Sequence, residues 1–204
     1  KKTSLWLGLF LKGALHYIPH LNRTVDYNLL SEEVSSGFCI IEDKNDHVWY
    51  GGPSGLFLID KKKANARPEK ISPLRIFNLV QFNDSILWAG TRKGSMFQIN
   101  TRTLKVTSLP ILPHTDLYVT YIYPDSHQRI WIGTDNNGLY VSDRNGSIIA
   151  SYSKEQLGSN AIKGIIEDEM NNIWVGAGSG LCCINPQMEN IDRYTTADGL
   201  PIHQ

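Results

Sequence analysis

The chain has 204 residues, with 20 Lys plus Arg against 20 Asp plus Glu, so it carries no net charge. That balance argues against a nucleic-acid binder, which shows a basic excess, and a hydrophobic share of 41% argues against a disordered chain. Three cysteines are too few for a disulfide framework, and no apolar run reaches the roughly 18–20 residues of a membrane-spanning helix.

The predicted elements repeat. Trp6, Trp49, Trp88, Trp131 and Trp174 stand at intervals of 43, 39, 43 and 43 residues, and each is followed two residues later by glycine. A second glycine comes six or seven residues after each Trp: Gly13, Gly55, Gly94, Gly138 and Gly180. Self-similarity at a period of about 40–45 residues marks propeller blades, with one four-stranded sheet per repeat. The fold class is therefore all-β: a β-propeller, with about five consecutive four-stranded blades forming part of a larger, seven-bladed propeller. The units run over about 1–30, 31–72, 73–109, 110–153 and 154–195, and residues 196–204 start the next one.

At the amino end, Lys1-Lys2 followed by Leu5–Phe10 looks like a signal peptide. Trp6, Gly8 and Gly13 nevertheless keep the register of the repeat, which makes this segment two strands of a blade whose first strand is missing. In the second unit, strands a to d are expected near 38–42, 48–51, 56–60 and 68–72. The later units follow near 76–82, 86–90, 95–99 and 104–108; then 118–123, 129–133, 139–142 and 147–152; then 161–166, 172–176, 181–184 and 190–195. Strand b carries the Trp. Burying that ring removes ~150–250 Å² from water, a gain of at most roughly 4–6 kcal/mol, so the Trp residues read as structural.

Asp43, Asp125 and Asp168 each precede a Trp by six residues, where an acidic side chain suits a tight turn. In the third unit Asp84 precedes Trp88 by only four, so that turn is shorter. Lys61-Lys62-Lys63 falls in a predicted c–d turn and reads as solvated. Adjacent Cys182 and Cys183 point to opposite faces of one strand and read as reduced, buried core residues. The chain stops in mid-repeat at both ends, which suggests a piece of a longer protein.

No metal ligand set is expected. His16 and His20 are not aligned by a helix, and the acidic turns lack the Gly and Glu of a calcium loop. Neither a phosphate loop nor a nucleophile elbow is present, so the reading is of no enzyme and no cofactor. In a propeller the b–c and d–a loops open on one end, and the residues between the two glycines vary from blade to blade. Arg92, Asp135, Asn136 and Asn137 are therefore candidate ligand contacts, because charged and amide groups pair with sugar hydroxyls or carboxylates. His114 and Tyr118, beside a predicted d–a loop, would add a stacking surface.

The stretches Ile165–Gly176, Gly180-Leu181 and Tyr194–Pro201 together resemble the two-component regulator propeller repeat, and the likeness recurs in every unit. Where that family's turn usually has Gly, two residues before the Trp, this chain has His47, Arg129 and Asn172. The resemblance implies the periplasmic sensor part of a hybrid two-component system of Bacteroidetes type. Members of that family typically recognise a glycan-derived oligosaccharide and control polysaccharide-utilisation genes, with the histidine-kinase module elsewhere in an inner-membrane protein. It implies as partners the oligosaccharide, the remaining blades, the downstream domains and a homodimer of the parent. The alternative is a propeller scaffold for protein–protein interaction with no small ligand of its own.

Overall fold

A computed structural model describes residues 4–9, 13–27, 37–63, 66–91, 95–109 and 118–201. The chain divides into two compact units, Lys1–Arg92 with Phe97–Ser108, and Lys93–Met96 with Leu109–Gln204. Each is built of antiparallel sheets in which every strand pairs with the next in sequence.

In the first unit, the first sheet has three strands, β1 (Leu5–Leu9), β2 (Gly13–Ile18) and β3 (Arg23–Tyr27). The second has four, β4 (Cys39–Glu42), β5 (His47–Gly52), β6 (Gly55–Asp60) and β7 (Glu69–Ser72). The third comprises β8 (Ile76–Asn83), β9 (Ile86–Thr91), β10 (Met96–Asn100) and β11 (Val106–Ser108). In the second unit the fourth sheet is β12 (Val119–Pro124), β13 (Ile130–Thr134), β14 (Leu139–Ser142) and β15 (Ile148–Tyr152). The fifth is β16 (Ile162–Glu167), β17 (Ile173–Ala177), β18 (Gly180–Ile184) and β19 (Ile191–Tyr194). These spans match the expected strands to within one or two residues. One short helix was not expected: α1 (Lys154–Leu157) fills the link between the fourth and fifth sheets. Gln156 reaches back to accept the Ser153 backbone N–H at 3.0 Å, and Gly158 ends the turn in the left-handed region.

The cores lie between sheets. Trp49, Leu56 and Leu58 of the second sheet pack against Ile76, Leu87 and Ile99 of the third. Trp131, Leu139 and Val141 of the fourth pack against Ile165, Val175 and Ile173 of the fifth. A sheet sandwiched on both sides needs apolar residues on both faces, which is why Leu56–Ile59 is buried without alternation. Both glycines of the repeat answer to packing. A Cβ on Gly51 would meet Ile76 at 2.6 Å, and one on Gly133 would meet Ile162 at 2.7 Å, so each lets the next sheet's first strand approach. Gly138, the second glycine of its unit, has φ +77°, and a side chain there would strike the Tyr152 carbonyl oxygen.

The Asp that precedes the Trp does more than form a turn. Asp125 Oδ1 accepts the His127 and Arg129 backbone N–H groups at 3.0 and 2.8 Å, while Oδ2 accepts the Trp131 indole N–H at 2.8 Å. Asp43 with Trp49, and Asp168 with Trp174, repeat this staple at 2.8 Å. The residues found where the family usually has Gly add side-chain contacts: His47 Nδ1 lies 3.2 Å from Asp43, and Arg129 Nε and Asn172 Nδ2 donate to Asp125 and Asp168. Hydrogen bonds to its charged form, from Asn172 first and then Trp174, lower the Asp168 carboxyl to a pKa of about 2.

Two expectations are corrected. Cys182 is buried but Cys183 is only half-buried, because alternate residues of β18 face opposite sides and the side bearing Cys183 is the more open one. Lys61 is not simply solvated: it donates to Glu42 at 2.5 Å, and Glu42 also accepts the Trp6 indole N–H at 2.9 Å.

Candidate functional site at the loop end of the sheets

The b–c loop of the fourth sheet holds three predicted contacts. Asp135 is pinned to the residue that enters β12: its Oδ1 accepts the Tyr118 backbone N–H at 3.0 Å, and its own N–H donates to the Tyr118 carbonyl at 3.1 Å. Thr134 Oγ1 accepts the Asn137 N–H at 2.9 Å and donates to the Gly138 carbonyl at 2.8 Å. The Gly138 N–H in turn donates to the Asn160 carbonyl at 2.8 Å, which ties this loop to the link entering the fifth sheet. The b–c and d–a loops thus share one end of the second unit. Asp135 and Asn137 are half-buried, and Asn136 is exposed at the tip. Structure brings Asp135, Asn136, Asn137 and Tyr118 together; Arg92 and His114 lie outside the described residues.

A hollow of about 730 Å³ lies against the fifth sheet, lined by Lys163, Gly176, Ala177, Gly178, Leu181 and Leu200 among others. It corresponds to the position where Ile162 sits on Gly133 and Ile76 on Gly51, whereas Gly176 has nothing nearer than the Gly164 backbone at 3.7 Å. Leu181 and Leu200 give its floor an apolar character.

The most enzyme-like cluster is Ser126, His127 and Glu167. Ser126 Oγ donates to Glu167 at 2.6 Å and lies 3.2 Å from His127 Nδ1, while the Ser126 N–H also donates to Glu167, at 2.9 Å. The carboxylate holds the serine rather than orienting the histidine, the reverse of a nucleophilic triad. These bonds latch the fourth sheet's turn to the fifth. Among the described residues, no group of three or more His, Cys, Asp or Glu could hold a metal ion, and no helix is long and apolar enough to cross a membrane.

Sequence reasoning missed another cluster at the equivalent end of the first unit. Phe38 and Phe77 stack with ring centroids 5.6 Å apart and planes at 21°, and the Arg75 guanidinium lies 5.6 Å from the Phe77 centroid. Both rings read as ordinary strand residues in the sequence. Their signal is the register: each stands immediately before the residue that pairs with the glycine of Trp-x-Gly, Cys39 with Gly51 and Asn78 with Gly90.

Residues 114–136 match the family profile of the two-component regulator propeller. That segment is similar to a two-component regulator propeller repeat. The match covers β12, its turn and β13, the strand pair that carries the Asp125–Trp131 staple. Histidine kinase P4 of Formosa agariphila is 24% identical across 89% of this chain, which spans 18% of that relative's length. Among solved structures, the extracellular domain of a B. thetaiotaomicron protein assigned as a hybrid two-component system superposes with a TM-score of 0.72 at 23% identity. It covers 94% of this chain and 26% of the other. PorZ, a surface component of the type-IX secretion system of Porphyromonas gingivalis, gives 0.72 at 16% identity over 90% of this chain and 30% of its own. At these identities the solved structures establish the fold, which is a β-propeller.

Proposed function

We propose that this chain is the sensing segment of a hybrid two-component regulator, placed in the periplasm as part of an inner-membrane protein. It recognises a glycan-derived oligosaccharide and through it controls polysaccharide-utilisation genes. The observation that carries this reading is the match of residues 114–136 to the two-component regulator propeller, within repeated sheets of the same design. The histidine-kinase relative and the two-component neighbour support it, and in this reading phosphotransfer belongs to parts outside these residues. Ligand contact falls to the loop end: the exposed Asn136 amide can donate and accept at once, as vicinal sugar hydroxyls require. Arg92, Asp135, Asn137, His114 and Tyr118 belong to the same proposal.

The experiment is a glycan array probed with the purified chain, followed by calorimetry and by a reporter for the regulated promoter in cells carrying the parent protein. Saturable binding of one oligosaccharide class, with the same class inducing the reporter, is expected. A silent array together with a reporter that no saccharide induces would favour the scaffold alternative and overturn the proposal.

A further inference from the structure

The chain contains its own control for which inner-strand residues the fold demands. The register assigns four equivalent positions, each just before the partner of the Trp-x-Gly glycine: Phe38, Phe77, Thr120 and Lys163. In three of the four strands this residue sits in a bulge, between Ile76 and Asn78, Val119 and Tyr121, and Ile162 and Gly164. A bulge re-aims a side chain out of the regular alternation. The residue on its near side is always β-branched and buried: Ile76, Val119 and Ile162 are at most 1% exposed. Packing therefore dictates that neighbour. It does not dictate the bulge residue, which changes from an aromatic ring to a hydroxyl to an ammonium. Phe38 and Phe77 are not there because a propeller needs phenylalanine.

Their surroundings show what they can bind. Phe38 is 45% exposed, and Leu74 and Arg75 beside Phe77 are exposed as well. Phe38, stacked on the half-buried Phe77, leaves apolar ring surface in water that a core position would remove from it. The Arg75 guanidinium is held over the Phe77 face, and among the described residues no carboxylate pairs with it. A guanidinium stacked on a ring keeps its fork of N–H donors at the edge, aimed outward and matched to a carboxylate.

We infer that Phe38, Phe77 and Arg75 form a subsite for a saccharide ring bearing a carboxylate: the C–H face of the pyranose lies on the exposed aromatic surface, and the Arg75 fork takes the acid group. The inference rests on the reading above that a saccharide is recognised, and it narrows that reading to acidic glycans. An apolar platform alone would favour any sugar; the Arg75 cation beside it selects the charged one.

The test is calorimetry on the whole chain with trigalacturonic acid as the acidic probe and maltotriose as the neutral one. Trigalacturonic acid should bind and maltotriose should bind at least about tenfold more weakly, the scale of one charge-assisted contact of about 1.5–3 kcal/mol. Arg75→Gln should remove most of that preference, and Arg75→Lys should restore only part of it, since Lys keeps the charge without the fork. Phe38→Ala, at an exposed ring, should weaken binding of the acidic probe about five- to tenfold while leaving the thermal melt within a few degrees of wild type. Trigalacturonic acid binding that is unchanged in Arg75→Gln and Phe38→Ala overturns the subsite, as does equal binding of both probes or of neither. None of these results touches the sensor reading, which is decided separately by the array and the reporter.

Discussion

The sheets that carry Trp131 and Trp88 hold the same residue in the same strand with opposite polar bookkeeping. Both indoles are fully buried. Trp131 Nε1 donates to Asp125, whose other oxygen closes the preceding turn. Trp88 Nε1 has no partner among the described residues. The cause is visible in the preceding turn: Asp84 lies four rather than six residues before the Trp, sits in solvent and pairs with Lys44 of the second sheet instead. Asn83 closes the turn in its place, accepting the Ser85 N–H at 2.9 Å. The period of the repeat thus tolerates loss of the staple, because the apolar burial of the ring survives it. The cost is one orphaned donor, of order 1–3 kcal/mol.

The largest break in this comparison is Asp125→Ala. It strips acceptors from a buried indole, two backbone N–H groups and the Arg129 side chain at once. Removing one partner of a buried charged pair costs about 3–5 kcal/mol, a fall in Tm of roughly 6–20 °C for a chain of this size. Asp84→Ala removes only a surface ion pair to Lys44 and should stay within about 0.5 kcal/mol of wild type. Equal melting of the two variants would show that the six-residue spacing is only turn chemistry.

Much of the fold was legible because the features that repeat are those that packing enforces. Trp needs a buried site, Gly51 and Gly133 need room for Ile76 and Ile162, and Gly138 needs a positive φ. The fully buried Trp recurs at Trp49, Trp88 and Trp131, and the close approach at Gly51 and Gly133, so one sequence suffices to reveal them. The link helix at Lys154–Leu157 was missed because four residues give no helical period, and its capping pair Ser153 and Gln156 was the available signal. The Asp–Trp bond was missed because an Asp before a polar turn explains itself locally, and the recurring six-residue interval was the clue to a second job. Ligand residues were legible only as loops that vary. Asp135 shows the limit of that approach, since much of its carboxylate's work is to fasten Tyr118. Phe38 and Phe77 needed the strand register before they differed from any other apolar strand residue.

A sharper version of the comparison exchanges the ring and leaves the carboxylates alone. Trp131→Phe removes the donor that Asp125 accepts and shrinks a fully buried side chain, so both terms destabilise, by about 3 kcal/mol together. Trp88→Phe leaves a similar void but deletes an N–H that had no acceptor, so the two terms oppose each other and the net should lie within about 1 kcal/mol of zero. Urea midpoints for the two variants, with m-values checked for equality, measure the difference. A Trp88→Phe loss as large as that of Trp131→Phe would mean that the Trp88 indole is satisfied in solution, by water or by a shift of its turn.

The smallest expected effect tests the staple through its proton. Asp168 is held to about 2 by hydrogen bonds from Asn172 and Trp174, against an ordinary value of 3.8. A carboxyl with a lowered folded-state pKa binds fewer protons in the native than in the unfolded chain between those two values. Its contribution is therefore complete above about 3.8 and disappears as the pH falls from there towards 2. Asp168→Asn removes the titrating group while keeping its shape. The melting temperatures of wild type and Asp168→Asn should differ by a constant amount above pH 4.5 and converge steadily between about 3.8 and 2. The gap will be modest, because Asp168 is only half-buried and water screens part of what the hydrogen bonds supply. A gap that stays constant down to pH 2 would place the stabilisation in the shape of the turn, not in the charge that the indole and amide donors recognise.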